Sequence, residues 1–144
     1  MMTFLFKKLL NKFSGKVIVD VDAEEFHFRW GNRSLSIKTF LYLSNIKGKY
    51  RILSVGENFE GSDQCLKVCL FNGEPLAEEI DSRKELLESF LRYGFIKISS
   101  RKLFMPTVLF QNENRLNETL GGYQKDILID AAKKASAYEV EFIS

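Results

Sequence analysis

The sequence predicts one mixed α/β domain, in which helices pack on a sheet of parallel and antiparallel strands. Its 144 residues have the usual length of a single domain, and 45% of them are hydrophobic and 13% aromatic, which excludes a disordered chain. Apolar residues alternate with polar ones through much of the first half, and helical and strand periods alternate in the second half. Strands followed by alternating helices and strands predict a mixed sheet with flanking helices.

The first predicted element is a basic amphipathic helix over residues 2–13. Apolar residues recur there at steps of three and four, so they line one helical face, and Ser14-Gly15 ends the helix. The first sixteen residues carry a charge of +4 and the other 128 carry −2, for the total of +2. The candidate membrane-facing residues are Phe4, Leu5, Phe6, Leu9, Leu10 and Phe13, with the lysines Lys7, Lys8 and Lys12.

Two roles are open for this helix. A short basic helix with Phe and Leu on one side can lie in a membrane interface, drawn by apolar burial and by anionic lipids. Alternatively, its apolar face covers the sheet of its own domain or contacts a partner.

A β-meander follows the helix. The β-branched run 17–19 predicts a first strand, and the alternation over 26–30 predicts a second. The turn at 31–33 leads to a third strand, or two shorter ones, over 35–43. Residues 50–55 are expected to continue this sheet.

The cysteines Cys65 and Cys69 lie on one face of a further predicted strand. No CxxC motif is present and the only histidine, His27, is distant in sequence, so we expect free thiols in a reducing cytoplasm, acting as small, half-buried packing groups. His27 alternates with phenylalanines and is expected to be an ordinary strand residue.

The second half begins with a predicted helix, capped by Asp81 or Ser82 with Glu85 in the capping-box position and ended by Gly94. A buried strand is predicted over 103–110.

A polar loop over 111–118 separates that strand from another helix, which follows Gly121-Gly122. The chain closes with a strand over 139–143. The predicted buried face of the last helix consists of Ile127, Leu128, Ala131, Ala132 and Ala135.

Composition also narrows the functional classes. A formal charge of only +2 disfavours a dedicated nucleic-acid-binding protein. No apolar run approaches the roughly 18 residues that a membrane-spanning helix needs, and the N-terminal stretch lacks a small-residue cleavage site. We therefore expect a cytoplasmic chain, with a peripheral position on the inner face of the cytoplasmic membrane if the basic helix binds lipid.

Four stretches in the same order resemble bacterial actin-like proteins of the rod-shape-determining MreB family. Residues 4–13 are similar to the amphipathic start of many members, and residues 17–30 match the strand, turn and strand around the family's first phosphate loop. Residues 51–57 and 129–143 are similar to two further family segments. The resemblance implies the ribonuclease-H-like sheet of one actin-like ATPase subdomain over 16–144, preceded by the helix over 1–15.

The candidate nucleotide and Mg²⁺ site departs from the family's Asp-Leu-Gly-Thr phosphate loop. By resemblance, Asp20 would hold the Mg²⁺ water shell, but Asp22 replaces the glycine and Ala23 the threonine. With Glu24 and Glu25, four carboxylates lie within six residues, and two like charges 4 Å apart repel by about 4 kcal/mol at an effective dielectric constant near 20. Phosphate should therefore be rejected unless a metal compensates.

The water-activating glutamate of the family falls, in our alignment, on Gln124. Eukaryotic actins are similar in having glutamine there, so this change alone does not exclude hydrolysis. The chain is too short for the family's second phosphate loop and adenosine pocket, so at most half of a nucleotide cleft is expected.

The function expected from this resemblance is a non-catalytic binding module linked to bacterial cell shape. It would associate with the membrane, with an actin-like filament or with itself, and would need no cofactor or metal. The alternative is a nucleotide-binding ATPase half that a second chain completes, with ATP and Mg²⁺.

A metal-dependent, ribonuclease-H-like nuclease is a further alternative. Such sites hold two Mg²⁺ ions between carboxylates on separate elements of the sheet. The candidate ligands are Asp20, Asp22, Glu85 or Glu88, and Glu113.

Overall fold

The computed structural model describes residues 4–46, 49–61, 65–71, 80–116 and 124–143. The helices with described bounds are α1 (Phe4–Ser14), α2 (Ile80–Ser99) and α3 (Gln124–Ala135), and residues 114–116 are also helical. The strands are β1 (Lys16–Asp20), β2 (Glu25–Trp30), β3 (Arg33–Lys38), β4 (Phe40–Ile46), β5 (Lys49–Val55), β6 (Cys65–Cys69), β7 (Thr107–Gln111) and β8 (Glu139–Ile143).

The main sheet is mixed, as predicted, with the strand order β3-β2-β1-β7-β8. The first three strands form an antiparallel meander, and β1, β7 and β8 run parallel. Val17 and Val19 of the central strand β1 are fully buried, as expected for a β-branched run with neighbours on both sides. Because β1 and β7 pair in register from Lys16 with Thr107 to Asp20 with Gln111, the carboxyl ends of both strands share one edge.

A second, three-stranded sheet has the order β5-β4-β6, so the prediction that residues 50–55 continue the first sheet is wrong. The reason lies at Thr39, between β3 and β4. Its backbone N–H donates to the carbonyl of Glu24, and its hydroxyl donates to the carbonyl of Ala23. These bonds tie residue 39 to the β1–β2 loop, and β4 pairs with β5 and β6 instead of with the main sheet.

Aromatic side chains join the main sheet to α2. Phe26 and Phe28 of β2 are fully buried, and their rings meet those of Phe90 and Phe95 edge-on at centroid distances of 5.4 Å and 6.1 Å. Edge-to-face pairs in this range add to the stabilisation from area burial. These ring contacts therefore hold α2 against the meander of β1, β2 and β3.

Helix α3 packs through the face that the sequence predicts. Leu128, Ala131, Ala132 and Ala135 are buried, and small side chains at these positions allow a close approach to neighbouring elements. The strand predicted over 103–110 begins later, at Thr107.

Gly94 does not end α2, contrary to the prediction, since the helix continues to Ser99. A Cβ atom at Gly94 would lie 2.4 Å from Cζ of Phe28, so this glycine lets the helix approach the β2 ring. The helix begins at Ile80, which places the predicted capping residues Asp81 and Ser82 inside its first turn.

The two cysteines are free thiols in different surroundings. Cys65 is partly buried, as expected, whereas Cys69 is exposed, so the half-buried packing role is wrong for Cys69. The strand that carries both is an edge strand of the small sheet. His27 contacts Ser36 across the β2–β3 pair at 2.6 Å, in line with an ordinary strand residue.

We predict that Gly94→Ala lowers the free energy of unfolding by about 1–3 kcal/mol, because the added methyl group overpacks the Phe28 ring. In an exposed helix the same change would stabilise by about 1 kcal/mol. Phe28→Leu should make room for the methyl group. The double variant should therefore lose less free energy of unfolding than the sum of the losses in the two single variants. Urea unfolding measures all three, and a Gly94→Ala protein as stable as the parent would contradict this packing account.

Candidate functional site

The predicted phosphate loop follows the carboxyl end of β1. Asp20 ends the strand, and the N–H of buried Val21 donates to the carbonyl of Gln111 at 3.0 Å, which extends the β1–β7 pairing by one bond. The loop is therefore anchored on both sides, by β7 here and by Thr39 after Ala23. The backbone that carries the loop's carboxylates is therefore held in place.

Asp20 and Asp22 share one arginine. Oδ1 of Asp20 accepts a hydrogen bond from Nδ2 of Asn112 at 2.8 Å and lies 3.5 Å from a guanidinium nitrogen of Arg115. The same nitrogen lies 3.9 Å from Oδ2 of Asp22, whose Oδ1 accepts the N–H of Glu24 at 3.0 Å. We call Asp20, Asp22, Asn112 and Arg115 the aspartate–arginine cluster.

The cluster balances part of the charge that the sequence places in the loop. The Arg115 guanidinium offsets one of the two aspartate charges, which leaves a net charge of −1 before Glu24 and Glu25 are added. All three charged side chains are between one third and about half exposed, so solvent weakens these ion pairs. The loop still presents negative charge to a phosphate group.

The sequence pattern does not single out Asn112 and Arg115, which lie in the predicted polar loop over 111–118. A signal for them exists: parallel neighbours bring the residues after β1 and after β7 to one edge of the sheet. Asn112 also adopts a positive φ of 63°, a conformation in which asparagine is enriched.

Ala23 borders an open cleft of about 320 Å³ between the two sheets. The cleft carries two glutamates and one lysine, so its charge is unfavourable for an anion. The other lining residues are Glu24, Glu25, Lys38, Thr39, Phe40, Cys69 and Phe71.

Gln124 is the first residue of α3, and its side chain lies outside the described part of the structure. Nearby in sequence, Lys125 of α3 pairs with the buried carboxylate of Glu113 at 3.4 Å. Among the described residues, no three His, Cys, Asp or Glu side chains lie close enough to hold a metal ion. Of the candidate nuclease ligands, Asp20 and Asp22 lie together on Arg115, whereas Glu88 pairs with Arg92.

Helix α1 is inverted relative to an ordinary surface helix, in the sense that its apolar side faces solvent and its polar side faces the domain. Its large apolar side chains point to solvent, with exposed fractions of 76% for Leu5, 53% for Leu9 and 71% for Phe13. These three residues are four positions apart and therefore form one stripe. Phe4 and Phe6 are exposed as well, and Leu10 is partly buried. Lys7, Lys8 and Lys12 are exposed beside them.

The polar side of α1 holds the helix on the domain. Asn11 donates from Nδ2 to the carbonyl of Met105 at 3.0 Å and to the Thr107 hydroxyl at 3.2 Å. The Ser14 hydroxyl accepts the N–H of Met105 at 3.1 Å, and the Ser14 carbonyl accepts the indole N–H of Trp30 at 2.6 Å. We call these bonds the α1 latch. The alternative in which the apolar face covers the chain's own sheet does not agree with this arrangement.

The architecture is similar to that of MreB5 of Spiroplasma citri. The crystal structure bound to ADP matches with a TM-score of 0.60 and 11% identity, over 90% of this chain and 37% of that chain. The structure bound to AMPPNP matches with a TM-score of 0.59 and 10% identity, over 88% of this chain and 37% of that chain. No protein-family model matches the sequence, and no curated protein matches it significantly.

A likeness at this identity shows the fold alone, a mixed α/β fold that this chain shares with part of each MreB5 structure. The chain spans 37% of the length of both MreB5 structures. None of the described helices combines the length and the apolar character that crossing a bilayer requires.

We predict that millimolar Mg²⁺ and ATP leave the melting temperature of the chain unchanged, because Asp22 and the net charge of the aspartate–arginine cluster oppose phosphate. Asp22→Gly is the matched variant, since it removes the carboxylate that replaces the family's glycine. A melting temperature that rises for this variant alone would identify Asp22 as the barrier. A saturable rise for the unmodified chain would contradict the prediction.

Proposed function

We propose that this protein is a non-catalytic, actin-like binding module that attaches to the inner face of the cytoplasmic membrane through α1. Its body then contacts an actin-like filament or a second copy of itself and contributes to cell shape. The observation that carries the proposal is the inverted α1, whose apolar stripe of Leu5, Leu9 and Phe13 faces solvent while Asn11 and Ser14 hold the domain.

An exposed apolar stripe of this kind needs a partner, because removing each such side chain from water contributes about 1.5–3 kcal/mol when burial is complete. A lipid interface suits it, since a helix with a basic polar face lies there with its apolar side inserted. Lys8 and Lys12 flank the stripe and are exposed, so they can meet anionic headgroups at the same depth.

The loop beside α1 enlarges this surface. Leu103 is 64% exposed, and Met105 of the same loop is bonded to both Asn11 and Ser14. An apolar side chain at the base of the helix adds to the area that a membrane could bury.

The absence of catalysis is proposed from the altered phosphate loop. Asp20 and Asp22 are engaged by Arg115 and Asn112. By resemblance, Asp22 also replaces the glycine that lets a phosphate approach the backbone of the MreB loop. The domain is then expected to act by binding other molecules and not by catalysing a reaction.

A nucleotide-binding half is the second candidate. It is favoured by the likeness to MreB5 structures bound to ADP and AMPPNP, and by Asp20 at the end of β1. A second chain would have to supply the rest of the cleft.

We predict that the variant with Leu5→Ser, Leu9→Ser and Phe13→Ser loses roughly 100-fold or more in affinity for phosphatidylglycerol vesicles, because three apolar side chains no longer enter the interface. The fold should be unchanged, since all three are exposed. Co-sedimentation with vesicles measures the loss.

The chain offers a matched control for this experiment. Tyr50, Ile52 and Leu66 are also exposed apolar residues, but they lie on β5 and β6. Serine at these three positions should leave vesicle binding unchanged. If the α1 variant pellets with vesicles as the parent does, the membrane proposal is wrong.

We also predict self-association, because one short amphipathic helix gives weak, reversible attachment and several copies bind together by multivalency. Sedimentation velocity at high micromolar concentration should show dimers or larger species, and a chemically linked dimer should bind vesicles more tightly per chain. A strict monomer in solution and on vesicles would exclude it.

A further inference from the structure

We propose that Arg33 and Arg101, stacked on Trp30, bind the phosphate of an anionic lipid headgroup once α1 has entered the membrane. This inference rests on the proposed membrane attachment and adds a second element to it, a polar site on the body of the domain. We call Trp30, Arg33 and Arg101 the arginine–tryptophan site.

The two guanidinium groups are held by one indole ring. The guanidinium carbon of Arg33 lies 5.7 Å from the centroid of the Trp30 ring, and that of Arg101 lies 5.2 Å from it. Both distances are within the range of cation–π contacts. The ring itself is fixed, because its N–H donates to the Ser14 carbonyl and Phe104 packs edge-on against it at 5.0 Å.

These arginines lack carboxylate partners among the residues that the structure describes. Arg33 donates to the carbonyl of Ile98 at 3.2 Å, which uses part of its donor capacity, and both side chains are exposed. Each guanidinium carries five N–H donors in a geometry that matches phosphate oxygens. Two positive charges beside one ring are therefore balanced best by an anion from outside the chain.

The surrounding segments are free of acidic residues. No aspartate or glutamate occurs in 4–19, 29–38 or 96–112, the segments that contain α1, β1 up to Val19, β3 and the loop before β7. The acidic residues of the β1–β2 region begin with Asp20, at the other end of β1. The ends of β1, β2 and β3 next to α1 are thus basic and the opposite ends of β1 and β2 acidic, whereas Glu139 of β8 lies level with Thr107, two strands from β1.

A bilayer is the source of phosphate that fits this position. The Trp30 indole bonds directly to the last residue of α1, so the arginine–tryptophan site lies at the base of the helix with the exposed apolar stripe. Lys102 and Leu103 follow Arg101 on the exposed surface of the same loop. Tryptophan is also enriched at membrane–water interfaces. Apolar and cationic groups together match a headgroup with its acyl chains rather than a soluble anion.

Trp30 is the only tryptophan of the chain, so all tryptophan emission comes from this site at the base of α1. The experiment titrates the full-length protein with phosphatidylglycerol vesicles, phosphatidylcholine vesicles or inorganic phosphate, and records Trp30 emission together with co-sedimentation. We expect a saturable emission change with phosphatidylglycerol and little change with the other two.

The test variant is Arg33→Gln with Arg101→Gln. Each basic residue near an anionic membrane contributes roughly fivefold in affinity, so we expect roughly 25-fold weaker binding to phosphatidylglycerol and a smaller emission change. Lys38→Gln with Arg51→Gln removes the same charge at exposed positions away from the site and should bind like the parent.

Arg33→Lys with Arg101→Lys keeps the charge but loses the planar five-donor groups, so it should bind phosphatidylglycerol more tightly than the glutamine variant and more weakly than the parent. Circular dichroism melting of every variant checks the fold.

The outcomes separate this inference from the proposed function. If the unmodified chain fails to pellet with phosphatidylglycerol, membrane attachment itself is wrong. A second outcome is that the unmodified chain pellets and the α1 serine variant does not, while Arg33→Gln with Arg101→Gln binds like the parent. In that case only the arginine–tryptophan site is refuted. An emission change that inorganic phosphate reproduces would assign the site to a soluble anion and overturn the lipid assignment.

Discussion

The central strand β1 is the element on which the remaining structure depends. Its buried valines Val17 and Val19 fix which face points into the core, and a slip of one residue would expose both. Its register with β7 brings Ser14 and Lys16 to one edge of the sheet and Asp20 to the other. The short five-residue strand therefore separates the base of the amphipathic helix from the altered phosphate loop.

These two edges differ in charge and in what they can bind. At the acidic edge, Asp20 and Asp22 find partners within the chain, in Asn112 and Arg115. At the basic edge, the polar side of α1 is latched to the loop before β7, and its apolar side is left to solvent. The charge at the acidic edge is balanced only in part within the chain, and the apolar stripe at the basic edge is the surface that the proposed membrane contact would bury.

Much of the fold could be predicted from the sequence, because strand alternation and helical spacing report which side chains are buried. Those local patterns do not encode which strands pair, so they predict the wrong sheet for residues 50–55. Gly94 was misjudged for a similar reason: its role depends on a ring 66 positions earlier, on Phe28. The exposed stripe and the loop carboxylates were visible as patterns. The contacts of Arg115 with the aspartates and of Arg33 with Trp30 form only in the folded chain, so no local sequence pattern indicates them.

The central claim is that the domain sits on a membrane with the α1 edge inward and the phosphate-loop edge outward. The test uses nitroxide labels at Leu9, Leu103 and Glu24, in a chain whose two cysteines are replaced by serine. The measured quantities are the collision rates of each label with oxygen and with a water-soluble nickel complex. On phosphatidylglycerol vesicles, the account predicts that oxygen dominates at Leu9 and Leu103 and that nickel dominates at Glu24. Equal access of nickel to all three labels on the bound protein would contradict it.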